Sequence, residues 1–110
     1  MIMLKDGVNL NGTQAEAFEI LVAARAAFEE YGADCWVTSG QDGKHGKDSL
    51  HGAGYALDFR TRHVSKVVAE KVVDKMRKVL GKDYDIVLEK DHIHGEWDKK
   101  YFPHFNDNSN

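Results

Sequence analysis

Four of the six histidines fall in two short polar segments, His45 and His51 in the first and His92 and His94 in the second. Each segment has a carboxylate at a usable spacing, Asp58 after the first and Asp91 within the second. Imidazole and carboxylate are the donors of a hydrolytic zinc ion, which takes three protein ligands and keeps a fourth position for water, whose pKa it lowers toward neutrality. Two histidines and one aspartate meet that need. His51 and Asp58 are separated by a turn containing Gly52 and Gly54, and glycine supplies the backbone freedom that lets both side chains reach one ion. His92 and His94 are two positions apart, so in a strand both project from one face, and one can ligate while the other works beside it. Asp58 in an apolar strand needs a cation or several donors to offset its desolvation, and Arg60 or Arg62 are the rivals to a metal. Taken singly, each histidine reads as a surface or satisfied core residue, as His63 and His104 do, and it is the clustering that points to a metal.

The elements that must position these residues follow from hydrophobic spacing. Thr13-Gln14-Ala15-Glu16 reads as a capping box, after which Phe18, Leu21, Val22, Phe28 and Tyr31 recur at helical spacing up to Gly32. Cys35 to Thr38 reads as a strand, and Ser39 to Leu50 as a long glycine-rich loop, which at that length is expected to face substrate. Tyr55 to Arg60 alternates as a strand. Ser65 to Leu80 returns to helical spacing through Val68, Val72, Met76, Val79 and Leu80 before Gly81. Tyr84 to Glu89 and His92 to Trp97 read as two strands joined tightly through Lys90-Asp91. The order predicts a single α+β domain over residues 1–105, a mostly antiparallel sheet with helices on one face and the other face open as a cleft. Residues 106–110 read as a frayed polar tail.

At 110 residues, with 42 % hydrophobic content, the chain suits one compact domain. A formal net charge of −3 leaves no general attraction for nucleic acid or anionic lipid. The single cysteine, Cys35, cannot form an intramolecular disulfide and reads as a buried thiol in an apolar run. The first ten residues lack the apolar core of a secretory signal, and no stretch approaches membrane-spanning length, so synthesis in the cytoplasm is expected.

Ser49-x-His51-x-x-Gly54-x-Ala56-x-Asp58, followed by Asp91-x-x-His94, resembles the zinc D-alanyl-D-alanine metallopeptidases, the group that includes VanX- and VanY-type carboxypeptidases and phage endolysins. The first motif fixes five positions over ten residues and is the specific one. With flanking text such as Val37-Thr38-Ser39-Gly40, the resemblance spans most of residues 8 to 98, and small phage-encoded members look most alike. It implies a hedgehog- or D,D-peptidase-like fold, one zinc ion held by His51, Asp58 and His94, Asp91 as general base, and Ser49 helping to bind substrate. The spelling His92-x-His94 is also that of lysostaphin-type peptidases and the hedgehog signalling domain, where the second histidine is the ligand, which makes His92 a transition-state helper. Glu89-x-x-His92 fits the acid-x-x-His pattern too and would shift base and ligand by two residues.

One departure matters. Many members of the group carry an arginine soon after the Ser-Gly step, where this chain has Ser39-Gly40-Gln41-Asp42. Lys44, Lys47 or His45 could replace it, and His45 is the first choice because a loop histidine can donate a hydrogen bond to a developing oxyanion. The resemblance further implies peptidoglycan peptide as substrate, hydrolysed as a carboxypeptidase or an L-alanyl-D-glutamate endopeptidase would, by a monomer whose passage to the wall would need a partner such as a holin. A zinc-containing binding module without catalysis is the alternative.

Overall fold

The computed structural model describes residues 1–42 and 53–98. The second helix shows how sequence becomes structure here. Ser65 sits at the N-cap with extended backbone, and its hydroxyl oxygen accepts the Val68 N–H at 3.1 Å. Such a cap contributes about 1 kcal/mol. The helix α2, Lys66–Leu80, then buries Ala69, Val72, Val73 and Met76 at intervals of three and four, and ends where Gly81 takes φ +80°. Arg77 anchors it to the sheet, its Nε and Nη2 both donating to the Ile86 carbonyl at 3.0 and 2.7 Å.

The first helix, α1, spans Ala15–Glu30 and departs from the expected pattern. No capping box forms: Gln14 is the N-cap, with no side-chain capping bond, and the Thr13 hydroxyl instead donates to Leu10 O at 2.6 Å. Threonine is taken by the preceding turn, and the Gln14 N–H is tied to Gly54 O at 2.9 Å, so contact with the chain entering the third strand sets where the helix starts. Phe18, Val22 and Tyr31, expected in the core, are exposed. The buried residues are Ala17, Ile20, Leu21, Ala23, Ala24, Ala27 and Phe28, large side chains that fill the core interleaved with alanines.

The sheet has five strands: β1 Ile2–Leu4, β2 Cys35–Ser39, β3 Ala56–Arg60, β4 Tyr84–Leu88 and β5 His92–Trp97, in the order β1-β2-β3-β5-β4. All pairings are antiparallel except β1 with β2, so the sheet is mixed. Strand β1 is absent from the pattern-based expectation because three residues are too few to show alternation. The hairpin forms as expected, with the Glu89 N–H bonded to His92 O at 2.8 Å across Lys90-Asp91. The chain is thus one α+β domain of five strands and two helices among the described residues.

Strand alternation sorts the sheet into two faces. Cys35, Val37, Leu57, Phe59, Ile86 and Ile93 are buried in the same core as both helices. Gly95 belongs to this face, since a Cβ there would lie 2.8 Å from Ile20 Cγ2 and 3.2 Å from Ile86 Cδ1. The intervening residues, Trp36 and Thr38 on β2, Asp58 and Arg60 on β3, and His92, His94 and Glu96 on β5, are partly exposed on the opposite face. Among the described residues no helix is long and apolar enough to cross a membrane.

Candidate functional site

The antiparallel register of β3 with β5 sets Asp58 opposite His94, Arg60 opposite His92 and Ala56 opposite Glu96. Directly opposed residues have Cβ atoms about 5 Å apart, close enough for short polar side chains to meet. His94 Nδ1 lies 2.9 Å from Asp58 Oδ1, and His94 Nε2 lies 2.8 Å from Glu96 Oε1. The imidazole is therefore held between two carboxylates, donating to both. The hydrogen bond to Asp58 is the largest cause of a pKa raised to about 9; burial pulls it down, and Glu96 raises it further. All three side chains are partly buried, at 18 to 27 % exposure, where such bonds are stronger than in open water.

His92 occupies the next position along the same face. Its Nδ1 lies 2.8 Å from Asp91 Oδ1, and its Nε2 lies 4.0 Å from Asp58 Oδ2. Asp91 sits in the hairpin turn with its side chain 76 % exposed, and the bond to His92 holds its carboxyl below the usual range, against the opposing effect of desolvation. The ring is thus gripped from behind at Nδ1 and presents Nε2 toward Asp58. A register shift in β2 between Val37 and Ser39 brings Ser39 opposite Asp58, and such bulges re-aim side chains beside functional sites. A cleft of about 310 Å³ opens over this region, with Asp58, Asp91 and His92 in its wall beside Thr38, Ser39 and Arg60.

The site residues expected from sequence divide in two. Asp58, Asp91, His92 and His94 come together on one face of the sheet. His51, Ser49 and His45, with Lys44 and Lys47, lie outside the described residues. Among the described residues no ion pair joins Asp58 to Arg60 or Arg62, and Arg60 places its guanidinium over Trp36, 4.4 Å from the ring centroid. Glu96 is the residue that sequence reasoning missed. Its signal was the i, i+2 spacing from His94 in the same strand, which places both on one face. His63, read as unremarkable, stacks on Phe28 and has its Nε2 2.8 Å from Asp34 O, a packing role.

An imidazole nitrogen and a carboxylate oxygen are donor types that zinc accepts. Zinc held between them would take the place of the proton that His94 Nδ1 shares with Asp58 Oδ1, now 2.9 Å apart, and would set the two atoms at the roughly 3.3 Å of neighbouring donors on a tetrahedral ion. A zinc-bound histidine characteristically donates its other ring N–H to a carboxylate, the relation Glu96 already has with His94 Nε2. Among the described residues there is no group of three or more His, Cys, Asp or Glu side chains arranged to hold a metal, so a complete ligand set needs a residue from outside them. No protein-family model and no curated protein matches this chain.

Proposed function

We propose that this chain is a zinc-dependent peptidase that hydrolyses a peptide bond in bacterial cell-wall peptidoglycan, with the polar face of its sheet as a cleft of the D,D-peptidase kind. The observation that carries the reading is the contact between His94 and Asp58 on paired strands, because these are the two described residues at the ligand positions of the resembling motif. His51 would complete the set. Of the two registers left open by sequence, His94 is the better ligand: it stands directly opposite Asp58, whereas His92 stands opposite Arg60 with its Nε2 4.0 Å from the carboxylate.

Bound there, zinc would polarise the scissile carbonyl and lower the pKa of a water molecule. Asp58 and His94 fix the geometry, and Glu96 holds the His94 ring by Nε2. Asp91 and His92 act as one acid–base unit. Asp91 orients the ring through Nδ1, so that a proton taken from the attacking water is held on this pair and returned to the leaving amine. An imidazole so placed argues for catalysis over a module that merely binds zinc.

Zinc content and release of amine groups from purified peptidoglycan, for the native chain and for His51→Ala, test the reading together. About one zinc per chain with zinc-dependent release, both lost in the variant, is the expected result. Zinc without release on any peptidoglycan would favour the binding module, and no zinc would overturn the proposal.

A further inference from the structure

The cleft beside Asp58 carries more positive charge than its own carboxylates use. Asp58 is engaged by His94 and Asp91 by His92, while Lys5, Arg60 and Arg62, all in the cleft wall, make no ion pair with any described residue. Arg60 is the best organised of the three. Its guanidinium lies over the Trp36 ring with Cζ 4.4 Å from the centroid, a contact that restrains the side chain beside the cleft. A guanidinium is weakly hydrated and its donor fork matches a carboxylate in bidentate fashion, and pre-orientation on an aromatic ring lowers the entropy lost on binding. Lys5 and Arg62 add positive potential around it.

Register gives the distance to the proposed chemistry. Arg60 is two residues from Asp58 on the same face of β3 and opposite His92 on β5. That is about 7 Å along the strand, the span of about two residues of extended peptide. We propose that Arg60, stacked on Trp36 and flanked by Lys5 and Arg62, forms a subsite for a carboxylate of the substrate, within about two residues of the bond that is cut. This rests on the peptidase reading. A free chain terminus and an acidic side chain offer the same chemistry, and the test separates them.

The full zinc-loaded chain is assayed on two pairs of peptides: a D-alanyl-D-alanine peptide with a free terminus against its C-terminal amide, and an L-alanyl-D-glutamate peptide against its D-glutamine counterpart. Removing the recognised carboxylate should raise KM about 10- to 100-fold, the worth of a charge-assisted hydrogen bond, with a much smaller change in kcat. The responding pair identifies the source. Arg60→Gln should raise KM for the acid to that of the amide while leaving the amide unchanged, Arg60→Lys should recover part of the loss, and Trp36→Leu should fall between. Equal KM for acid and amide in both pairs overturns the subsite and leaves the peptidase standing. So does an Arg60→Gln variant that raises KM for acid and amide alike, because that is a structural effect.

Calorimetric titration with acetyl-D-alanine and acetyl-D-glutamate separates the two ideas if no peptide is cleaved. Binding that is lost in the corresponding amides and in Arg60→Gln keeps the subsite while the peptidase falls. Binding indifferent to the carboxylate or to Arg60, or no binding at all, removes the subsite.

Discussion

Replacing Gly95 by alanine tests the link between the helix-covered face of β5 and the polar face behind it. The added Cβ would stand 2.8 Å from Ile20 Cγ2 and 3.2 Å from Ile86 Cδ1, so Ile20 must retreat by roughly 0.7 Å to reach an ordinary carbon contact of about 3.5 Å. Neither neighbour has free space: Ile20 is fully buried and Ile86 is 1 % exposed. Overpacking of this kind destabilises by about 1–3 kcal/mol. Alanine returns about 0.5–1 kcal/mol because it has less backbone freedom to lose than glycine. The net is about 1–2 kcal/mol, or a fall in Tm of roughly 5–10 °C for a domain of this size. Calorimetry and urea unfolding with an unchanged m-value would measure it. Ile20→Ala alone should cost about 2–5 kcal/mol by leaving a cavity. In the double variant the new methyl group enters that cavity, so the two losses should fall short of additivity by about 1 kcal/mol. A Gly95→Ala protein as stable as the native one, or strict additivity with Ile20→Ala, would refute the close approach of α1 to β5.

Three further outcomes follow from the same geometry. On the proposed zinc site, Glu96→Gln should weaken zinc binding about 10- to 100-fold, read by competition with a chromophoric chelator, because the His94 ring loses its carboxylate partner at Nε2; an unchanged affinity would leave Glu96 without a role there. If Asp91 works through His92, then Asp91→Asn and His92→Ala should each spare zinc and lower kcat, and the double variant should be little worse than His92→Ala alone; independent, multiplicative losses would separate their roles. Cys35 is fully buried, and burial pushes its thiol up to about 12. The folded protein therefore keeps a proton that the unfolded chain gives up near pH 9, so this thiol leaves stability unaffected below that pH and lowers it by about 1.4 kcal/mol per pH unit as pH rises from about 9 toward 12. Urea midpoints at pH 8, 9 and 10 should show this extra loss in the native chain relative to Cys35→Ala, and parallel declines would contradict it.

Periodicity carried much of the architecture. Val72 and Met76 are buried in α2 as their spacing predicts, and the alternation of Ile93 and Trp97 with His92 and His94 puts both histidines on one face. Cys35 is the buried thiol that its apolar neighbours suggested. These are local properties, set by which side chains recur at 3.6 or at 2 residues. In α1 the same logic misassigned Phe18 and Val22, because hydrophobicity ranks a phenylalanine above an alanine, whereas the side of the helix that meets the sheet buries Ala17, Ala24 and Ala27 and seats Ile20 over Gly95. Thr13 likewise had the right type for a cap and spent its hydroxyl on Leu10.

What the sequence determined by itself was the identity and facing of the polar residues: Asp58 on one strand, His92 and His94 on another, Asp91 in the turn between strands. What tertiary structure decided was their partners. Thirty-six positions separate Asp58 from His94, and only the β3–β5 register makes them neighbours, sets Arg60 across from His92, and brings Ser39 opposite Asp58 through the bulge in β2. Register depends on the whole sheet packing its apolar face under two helices, and a slip of one residue would turn every one of these side chains toward the core.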